Sequence, residues 1–390
     1  MPNISENSFT GSSLSDPPDR SEIEISLFGP GYGESLLIHV GDNNWLLVDS
    51  CIDPINKEPS PLKYLHEIGI NPAEAIKLIV VTHWHDDHIR GLAEIFRNCE
   101  LAEFASSAAL QSKEFLTLVY ALGRRSMMET SGVHEFYNIL EILKERQRSN
   151  GGNLVSFKLA IADRLIWKRT LLAAGSNLAS EVYSLSPSDA SAILALKEIG
   201  NFLPKEHQPK TRVEARSPNH VAVVLWIRIG NIYILLGSDL EKTKDLNTGW
   251  SIIVDSNTRP QGKACIFKIP HHGSKSADYP YVWTEMLESD LLAVLTPFVL
   301  GNVTLPTKSD IERICNRTRN AYSTAFAVRK RTKKRSGIVE KTIRETVKSI
   351  REVNVSTGHI RLRTKGFHPP ITWKVSLFGD AIPLNKFYAH

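Results

Sequence analysis

No apolar run in the 390 residues reaches the roughly 18 needed to cross a bilayer, so no membrane span is expected. Cysteine is scarce. Cys51, Cys99, Cys265 and Cys315 are scattered without a close pair, which argues against a disulfide framework and a Cys-x-x-Cys metal site and fits a reducing compartment. The first twenty residues are polar, with no apolar stretch behind a basic start. That pattern does not match a secretory signal and reads as a disordered leader over 1–20. Internal repeats and long low-complexity tracts are also missing, so solenoid and fibrous classes drop out. A cytoplasmic globular chain is the expectation, and 42% hydrophobic and 23% charged residues fit it.

Charge excess is small in total, 47 basic against 42 acidic residues for a net +5, but it is unevenly placed. Between Ile311 and Gly366 there are 16 basic and 4 acidic residues, a local net of +12. The rest of the chain is therefore acidic. A basic block on an acidic body has the form of a polyanion-binding surface, although a solvated loop or helix face would carry the same charges.

Ile23, Ile25 and Leu27 alternate as in a strand, and strand-like runs follow at Ser35–Val40 and Trp45–Val48. The turn Gly29-Pro30-Gly31-Tyr32-Gly33 superficially resembles a dinucleotide loop, but it leads into strand-like Glu34–Ile38 rather than a helix. No helix N-terminus would be there to hold a pyrophosphate, and the Rossmann reading is rejected. A helix is expected near Pro61–Ile68 and a strand over Lys77–Val81. Residues 101–180 read as largely helical, with Phe136, Ile139, Leu140 and Leu143 at helical spacing. Ser186-Pro187-Ser188-Asp189 reads as a capping box opening a helix that ends at Gly200. Strands return at Val221–Ile229, Asn231–Leu236, Cys265–Ile269 and Leu291–Thr296. A helix over Thr342–Val353 and a strand pair at Gly358–Arg363 and Ile371–Phe378 close the chain. The alternation implies a layered α/β fold with a helical insertion at about 101–216.

The strongest chemical signal is Thr82-His83-Trp84-His85-Asp86-Asp87-His88, directly after an apolar strand. His83, His85, Asp87 and His88 offer four ligands within six residues, a set that suits zinc and also manganese or iron. The one-residue gap puts His83 and His85 on one side of an extended segment, and Asp87 and His88 can turn toward a second cation. Two later apolar strands end in Gly237-Ser238-Asp239 and in Pro270-His271-His272-Gly273-Ser274. Alone each would be an ordinary turn; with the first cluster they read as one binuclear centre. Two close cations lower the pKa of a bridging water and supply hydroxide near neutral pH to attack phosphorus or a carbonyl carbon. Asp87 or His271 could move the proton, and Ser274 and Lys275 could contact a phosphate, their ordinary roles being helix cap and surface lysine.

The motifs HxHxDH, GxD and HHGS, with Leu46-Leu47-Val48-Asp49-Ser50 before them, resemble those of the metallo-β-lactamase-fold hydrolases, and within them the branch containing the nuclease-like domain of the DNA-uptake protein ComEC. The resemblance spans roughly residues 23–300. It implies an αββα sandwich: a domain over 21–310 with the helical insertion inside it, and a basic C-terminal extension over 311–390 with strands that complete or flank the core. It further implies two divalent ions, Zn²⁺ or Mn²⁺. His83 and His85 would hold the first and Asp87 and His88 the second, Asp239 would bridge them, and one of His271 and His272 would complete the second site, with His272, directly before the Gly, the favoured one. Asp49 would support the histidine loop from behind, and His271 would face the substrate. Many members carry a third histidine for the first metal. His220 is the candidate here, while Asn219 fits the Asn-rich turn common in the ComEC-like branch.

The fold alone does not choose a substrate. The resemblance to a DNA-processing branch, the cations Arg329, Lys330, Arg331, Lys333, Lys334 and Arg335, and the size of the insertion favour a nuclease or phosphodiesterase acting on DNA. Stand-alone chains of this kind resemble components of bacterial anti-phage systems, which implies partner proteins from a multi-gene system and no membrane. The alternatives are a hydrolase of a small phosphodiester and a regulatory module on the same fold. The complete ligand set speaks against the regulatory module. A lactamase reading fits poorly with the lack of an export signal, and thioester hydrolysis with the lack of a clear third-histidine motif. Trp84 and Tyr279 flank the motifs; packing is their ordinary role, stacking on a base the alternative.

Overall fold

The structure is a computed structural model that describes residues 13–31, 33–123, 132–149, 157–171, 178–203, 219–300, 303–326, 337–346, 357–367 and 371–387. Two eight-stranded mixed sheets form its centre. The first runs, in spatial order, Lys374–Gly379, Thr357–Lys365, Glu22–Pro30, Ser35–His39, Trp45–Val48, Ile76–Val81, Glu103–Ser107 and Phe157–Ala160. The second runs Ile382–Pro383, Ala321–Ser323, Leu287–Leu295, Ala264–Lys268, Ile232–Leu236, Leu225–Ile229, Leu178–Ser184 and Arg164–Leu171.

Strands buried on both faces read as continuous apolar runs, and here their alternate residues serve different layers. Ile25, Leu27, Leu46, Val48, Leu78 and Val80 of the first sheet meet Ile227, Ile234, Leu236, Ile266 and Val294 of the second in one core between the sheets. The opposite faces are covered by helices. Leu37, Leu47, Ile79 and Val81 pack under Leu62, Leu65, Phe96 and Phe115, while Trp226, Leu235, Phe267 and Leu295 pack under Trp250, Ile253 and Ile314. The result is the expected αββα sandwich. Each such side chain contributes about 1.5–3 kcal/mol by leaving water.

Connectivity places the chemistry. Trp45–Val48 and Ile76–Val81 pair in parallel in one sheet, and Ile232–Leu236, Ala264–Lys268 and Leu287–Leu295 in the other. The loops that carry Asp49, His83–His88, Asp239, His271–His272 and Thr296 all leave the carboxyl ends of these strands. In open parallel sheets that edge is where ligands gather.

Several expectations need correction. Among the described residues of 101–180, helix is confined to Lys113–Gly123 and Gly132–Ser149, apart from one 3₁₀ turn; Glu103–Ser107, Phe157–Ala160, Arg164–Leu171 and Leu178–Ser184 are sheet strands. The alternation there is hidden because the register shifts between Leu165 and Trp167, so that the consecutive Ile166 and Trp167 both enter the inter-sheet core. The helix after Ser186 runs Asp189–Phe202 and is capped by Ser188, whose side chain accepts from Ser191 N. Ser186 Oγ instead donates to the Ala222 carbonyl and accepts from Val224 N. Within the span expected as a leader, the carbonyls of Ser13, Leu14 and Asp16 accept from Arg361 and Arg363, which fixes residues beyond 12 against the sheet. The C-terminal helix begins earlier than expected, at Gly337, and its described part ends at Thr346. Arg329, Lys330, Arg331, Lys333, Lys334 and Arg335 lie outside the described residues. Among the described residues, no helix is long and apolar enough to cross a membrane.

His39 gives the sandwich a pH dependence. Its ring is buried, faces the Glu22 carbonyl through Nδ1 at 2.8 Å and accepts from Asn43 N through Nε2 at 3.1 Å, which fixes the neutral tautomer. Burial outweighs the Glu22 carbonyl and, with Arg363, pushes its pKa down to about 4. The folded chain therefore refuses a proton that the unfolded chain accepts near 6.5. This contribution is complete above pH 6.5 and is lost as the pH falls toward 4, by about 3 kcal/mol at most. Urea unfolding of wild type and His39→Gln at pH 7 and pH 5 should show a smaller pH dependence in the variant; equal dependences would refute the assignment.

Candidate metal centre

The histidine loop is held from behind by one carboxylate. Asp49 follows the neighbouring parallel strand with a left-handed backbone (φ 59°). Its Oδ1 accepts from Thr82 N at 2.8 Å, and its Oδ2 accepts from Thr82 Oγ1 at 2.7 Å and pairs with His88 Nδ1 at 2.8 Å. Thr82 Oγ1 in turn meets His83 Nδ1 at 2.8 Å, and His272 Nδ1 meets the Thr296 carbonyl at 2.9 Å. Three imidazoles thus have Nδ1 engaged on the outside, which sets the tautomer that leaves Nε2 free on the inside.

Those free atoms converge. His83 Nε2 stands 3.8 Å from Asp239 Oδ2, and His88 Nε2 stands 3.5 Å from the same oxygen and 3.8 Å from Asp87 Oδ2. His272 Nε2 is 3.4 Å from Asp87 Oδ2 and 3.8 Å from Asp239 Oδ2. Two ligand groups result: Asp87, His88, Asp239 and His272 form one, and His83, His85 and Asp239 the other, with the ligand atoms of each within 4.8 Å of one another. Asp239 belongs to both. A third combination, Asp49, His83 and His88, meets the same distance limit. The hydrogen bonds of Asp49 to the far side of the histidine loop assign it the outer position.

The atoms suit a cation. His83 Nε2, His88 Nε2 and Asp239 Oδ1 are buried without a hydrogen-bond partner, an arrangement that costs about 1–3 kcal/mol per group when nothing fills it. Ligands about 2.0–2.1 Å from a tetrahedral zinc are roughly 3.3 Å apart, close to the nitrogen–oxygen separations found. Electrostatics agree. Burial lowers the His83 imidazole well below its usual value, helped by His88 and His85. Burial also acts to lower His88 and His272, but Asp239 and Asp87 outweigh it and raise both. Burial would raise the carboxyls of Asp87 and Asp239, yet His88 and His272 carry both down. The carboxylates therefore draw positive charge to this point, and a divalent cation held there would displace protons.

The last ligand loop is backbone-strained. His271, His272 and Gly273 are consecutive left-handed residues (φ 47°, 54° and 81°), and Arg313 donates to the Gly273 carbonyl at 2.7 Å. Asp86, inside the first motif, faces elsewhere: it accepts from Gly132 N and Arg90. His271 is in none of the ligand groups; its Nδ1 lies 3.3 Å from Ser276 Oγ and 3.7 Å from Glu241 Oε2. His220 is half-buried and likewise in none of them, while the neighbouring Asn219 is buried with Nδ2 unpartnered. Ser274 caps the short turn Lys275–Ala277 through Ser276 N, and Lys275 is exposed. Trp84 packs edge-on to Phe115 and Phe202 in the helix-side core. The motifs by themselves assign no role to Thr82 or Thr296. Thr82 directly precedes the motif, which is a usable signal, whereas Thr296 acts through a carbonyl that any residue could supply.

Residues 28–234, just over half of the chain, match the model of the metallo-beta-lactamase superfamily. Among solved structures, a subclass B3 metallo-β-lactamase, MEM-A1, isolated from a soil metagenome library, is 12% identical, covers 67% of this chain and 83% of its own, and has a TM-score of 0.33. The metallo-β-lactamase fold protein YhfI from Bacillus subtilis is 12% identical over 63% of this chain and 70% of its own, with a TM-score of 0.30. No curated protein matches.

Asp49 orients the His88 and Thr82 groups without belonging to either ligand group, so its removal should loosen the metal rather than unfold the chain. Calorimetric titration of Asp49→Asn with Zn²⁺ should show affinity weakened about 10- to 100-fold. Wild-type affinity in the variant would contradict the arrangement.

Proposed function

The chain belongs to the metallo-β-lactamase superfamily, and from that premise we propose that it is a binuclear phosphodiesterase, a nuclease acting on DNA. As a metallo-β-lactamase-fold hydrolase it has a seam of His and Asp residues that could hold divalent metal. The observation that carries the proposal is the meeting of two ligand groups on a single carboxylate, Asp239. His83 and His85 would hold one ion, Asp87, His88 and His272 the other, with Zn²⁺ and Mn²⁺ both matching these donors. Bound there, the ions would acidify water and neutralise negative charge that develops on a phosphoryl oxygen.

The chain's own residues supply the rest. Asp49, Thr82 and Thr296 fix the imidazole planes before substrate arrives, so little reorganisation is needed during reaction. His271 is partly exposed beside the ligand groups, where it can face a substrate and move a proton to a leaving group. The basic run Arg329–Arg335 supplies cations for a nucleic-acid backbone in a chain that is acidic elsewhere. The likeness of HxHxDH, GxD and HHGS to the ComEC-like branch supports DNA over a lactam, and it is the ground for a place in anti-phage defence beside partner proteins. Four free cysteines, three of them buried, fit the reducing cytoplasm.

The test is cleavage of single- and double-stranded DNA and RNA with Mn²⁺ or Zn²⁺, with an Asp87→Ala/His88→Ala variant alongside. DNA cleavage should fall by about 10²-fold or more in the variant, the scale of losing a positioned electrostatic group. Replacing Arg329, Lys330, Arg331, Lys333, Lys334 and Arg335 by Gln should weaken DNA binding and flatten its salt dependence at unchanged metal content. Hydrolysis of a chromogenic phosphodiester without DNA cleavage would replace the nuclease by a small-phosphodiester hydrolase. Full activity in the ligand variant would refute the metal site.

A further inference from the structure

A lysine is buried beneath the ligand groups, where an apolar residue would be expected. Lys268 ends the strand Ala264–Lys268 of the second sheet and is 1% exposed; Glu34 precedes the strand Ser35–His39 of the first and is 2% exposed. The two form an ion pair across the seam between the sheets. A buried pair of this kind gains little net stability, and well-packed apolar residues often replace it without loss. Its position therefore calls for another explanation than stability.

The contacts of the pair supply one. Lys268 Nζ donates to the Ser238 carbonyl at 3.1 Å and lies 3.9 Å from Asp239 Oδ1, an oxygen with no hydrogen-bond partner. The same Ser238 carbonyl accepts from His271 N at 3.0 Å, so the Asp239 turn and the His271–His272 loop share one acceptor. On the other side, Glu34 N donates to the Asp87 carbonyl at 2.9 Å, and Glu34 Oε1 stands 3.8 Å from His88 Nδ1. Gly33 completes the approach: at φ +137° it lies so close to the Asp87 backbone that a Cβ would collide with it. One ammonium–carboxylate pair thus connects the loops bearing Asp87, His88, Asp239 and His272. Ser238 is itself left-handed (φ 48°), a conformation that has to be held.

We propose that Lys268, clasped by Glu34, is a positioning residue for the metal centre: it fixes the Ser238–Asp239 turn of one sheet against the Asp87–His88 loop of the other, so that Asp239 stands where both ligand groups can share it. The inference rests on the metallohydrolase reading but adds residues that belong to neither ligand group. Its sign follows from the contacts. Without the ammonium, Glu34 is left buried and unpaired and the Ser238 carbonyl loses a donor, so the turn relaxes and the shared ligand moves.

The experiment titrates the chelator-stripped full chain with Co²⁺, following heat and the visible absorption of the bound ion. Wild type, Lys268→Met, Glu34→Gln and the double variant are compared. Lys268→Met and Glu34→Gln should each bind cobalt about 10- to 100-fold more weakly, with a changed absorption band. In the double variant the losses should not add, because the two residues act as a unit. Should either single variant fail to fold, the double variant, which leaves no buried unpaired charge, must still show the weakened affinity and altered band. Lowered thermal midpoints with wild-type affinity and spectrum would mean a structural ion pair only and would overturn the proposal. A wild-type chain that binds no cobalt would overturn the metallohydrolase reading and the clasp together. Cobalt bound equally by wild type and all variants would overturn the clasp alone.

Discussion

The architecture turns on one constraint: polar atoms from two different sheets must meet, without hydrogen-bond partners, at a buried seam. His83, His88 and Asp239 each present such an atom. Asp49, Ser238, His271 and His272 all adopt left-handed backbone around the same point. Strain of about 1–3 kcal/mol per residue and desolvation of similar size per group are tolerated only where surrounding structure over-determines them. Here it does, through the Asp49–Thr82 brace, the Thr296 carbonyl, the Arg313 hold on Gly273 and the Lys268–Glu34 pair. A cation would offset the cost by giving the converging atoms a common partner.

Much of this site was legible in the sequence because its ligands sit at the ends of apolar strands. The run Ile76–Val81 fixes where the histidine loop begins, and Ile232–Leu236 and Ala264–Lys268 do the same for Asp239 and His272. Strand alternation points to a layered α/β fold for the same reason, and the αββα sandwich is what the resemblance of the motifs implies. Illegible parts fall into two physical kinds. At Ile166 and Trp167 a bulge sends consecutive residues to one face, and the two-residue period that marks a strand is lost. At Ser186 the pattern of a helix cap was present, but its hydroxyl is engaged with residues 36 and 38 positions away, and the cap falls to Ser188. Glu34 and Lys268 belong to this second kind. Each looks like an ordinary charge at a strand end until the two sheets are placed face to face.

The division of labour between fold and substrate choice is equally physical. The sandwich supplies rigid strand ends and therefore the placement of the ligand groups, and it does so for any electrophile that fits. A preference for a polyanion would have to come from charge outside the centre, and the +12 segment between Ile311 and Gly366 is where this chain concentrates positive charge. Within that segment, Thr357–Lys365 pairs with Glu22–Pro30 and with Lys374–Gly379 of the first sheet, and Ala321–Ser323 pairs with Leu287–Leu295 of the second. Arg361 and Arg363, two of its cations, are consumed in contacts there.

On this reading the seam is a two-cation centre. Elemental analysis of the purified chain, before and after chelation and with thermal unfolding followed in parallel, tests it most directly. Two equivalents of zinc or manganese per chain, with a lower unfolding midpoint once they are stripped, is the predicted result. A chain without metal that neither binds added Zn²⁺ or Mn²⁺ nor gains stability from them would contradict the account.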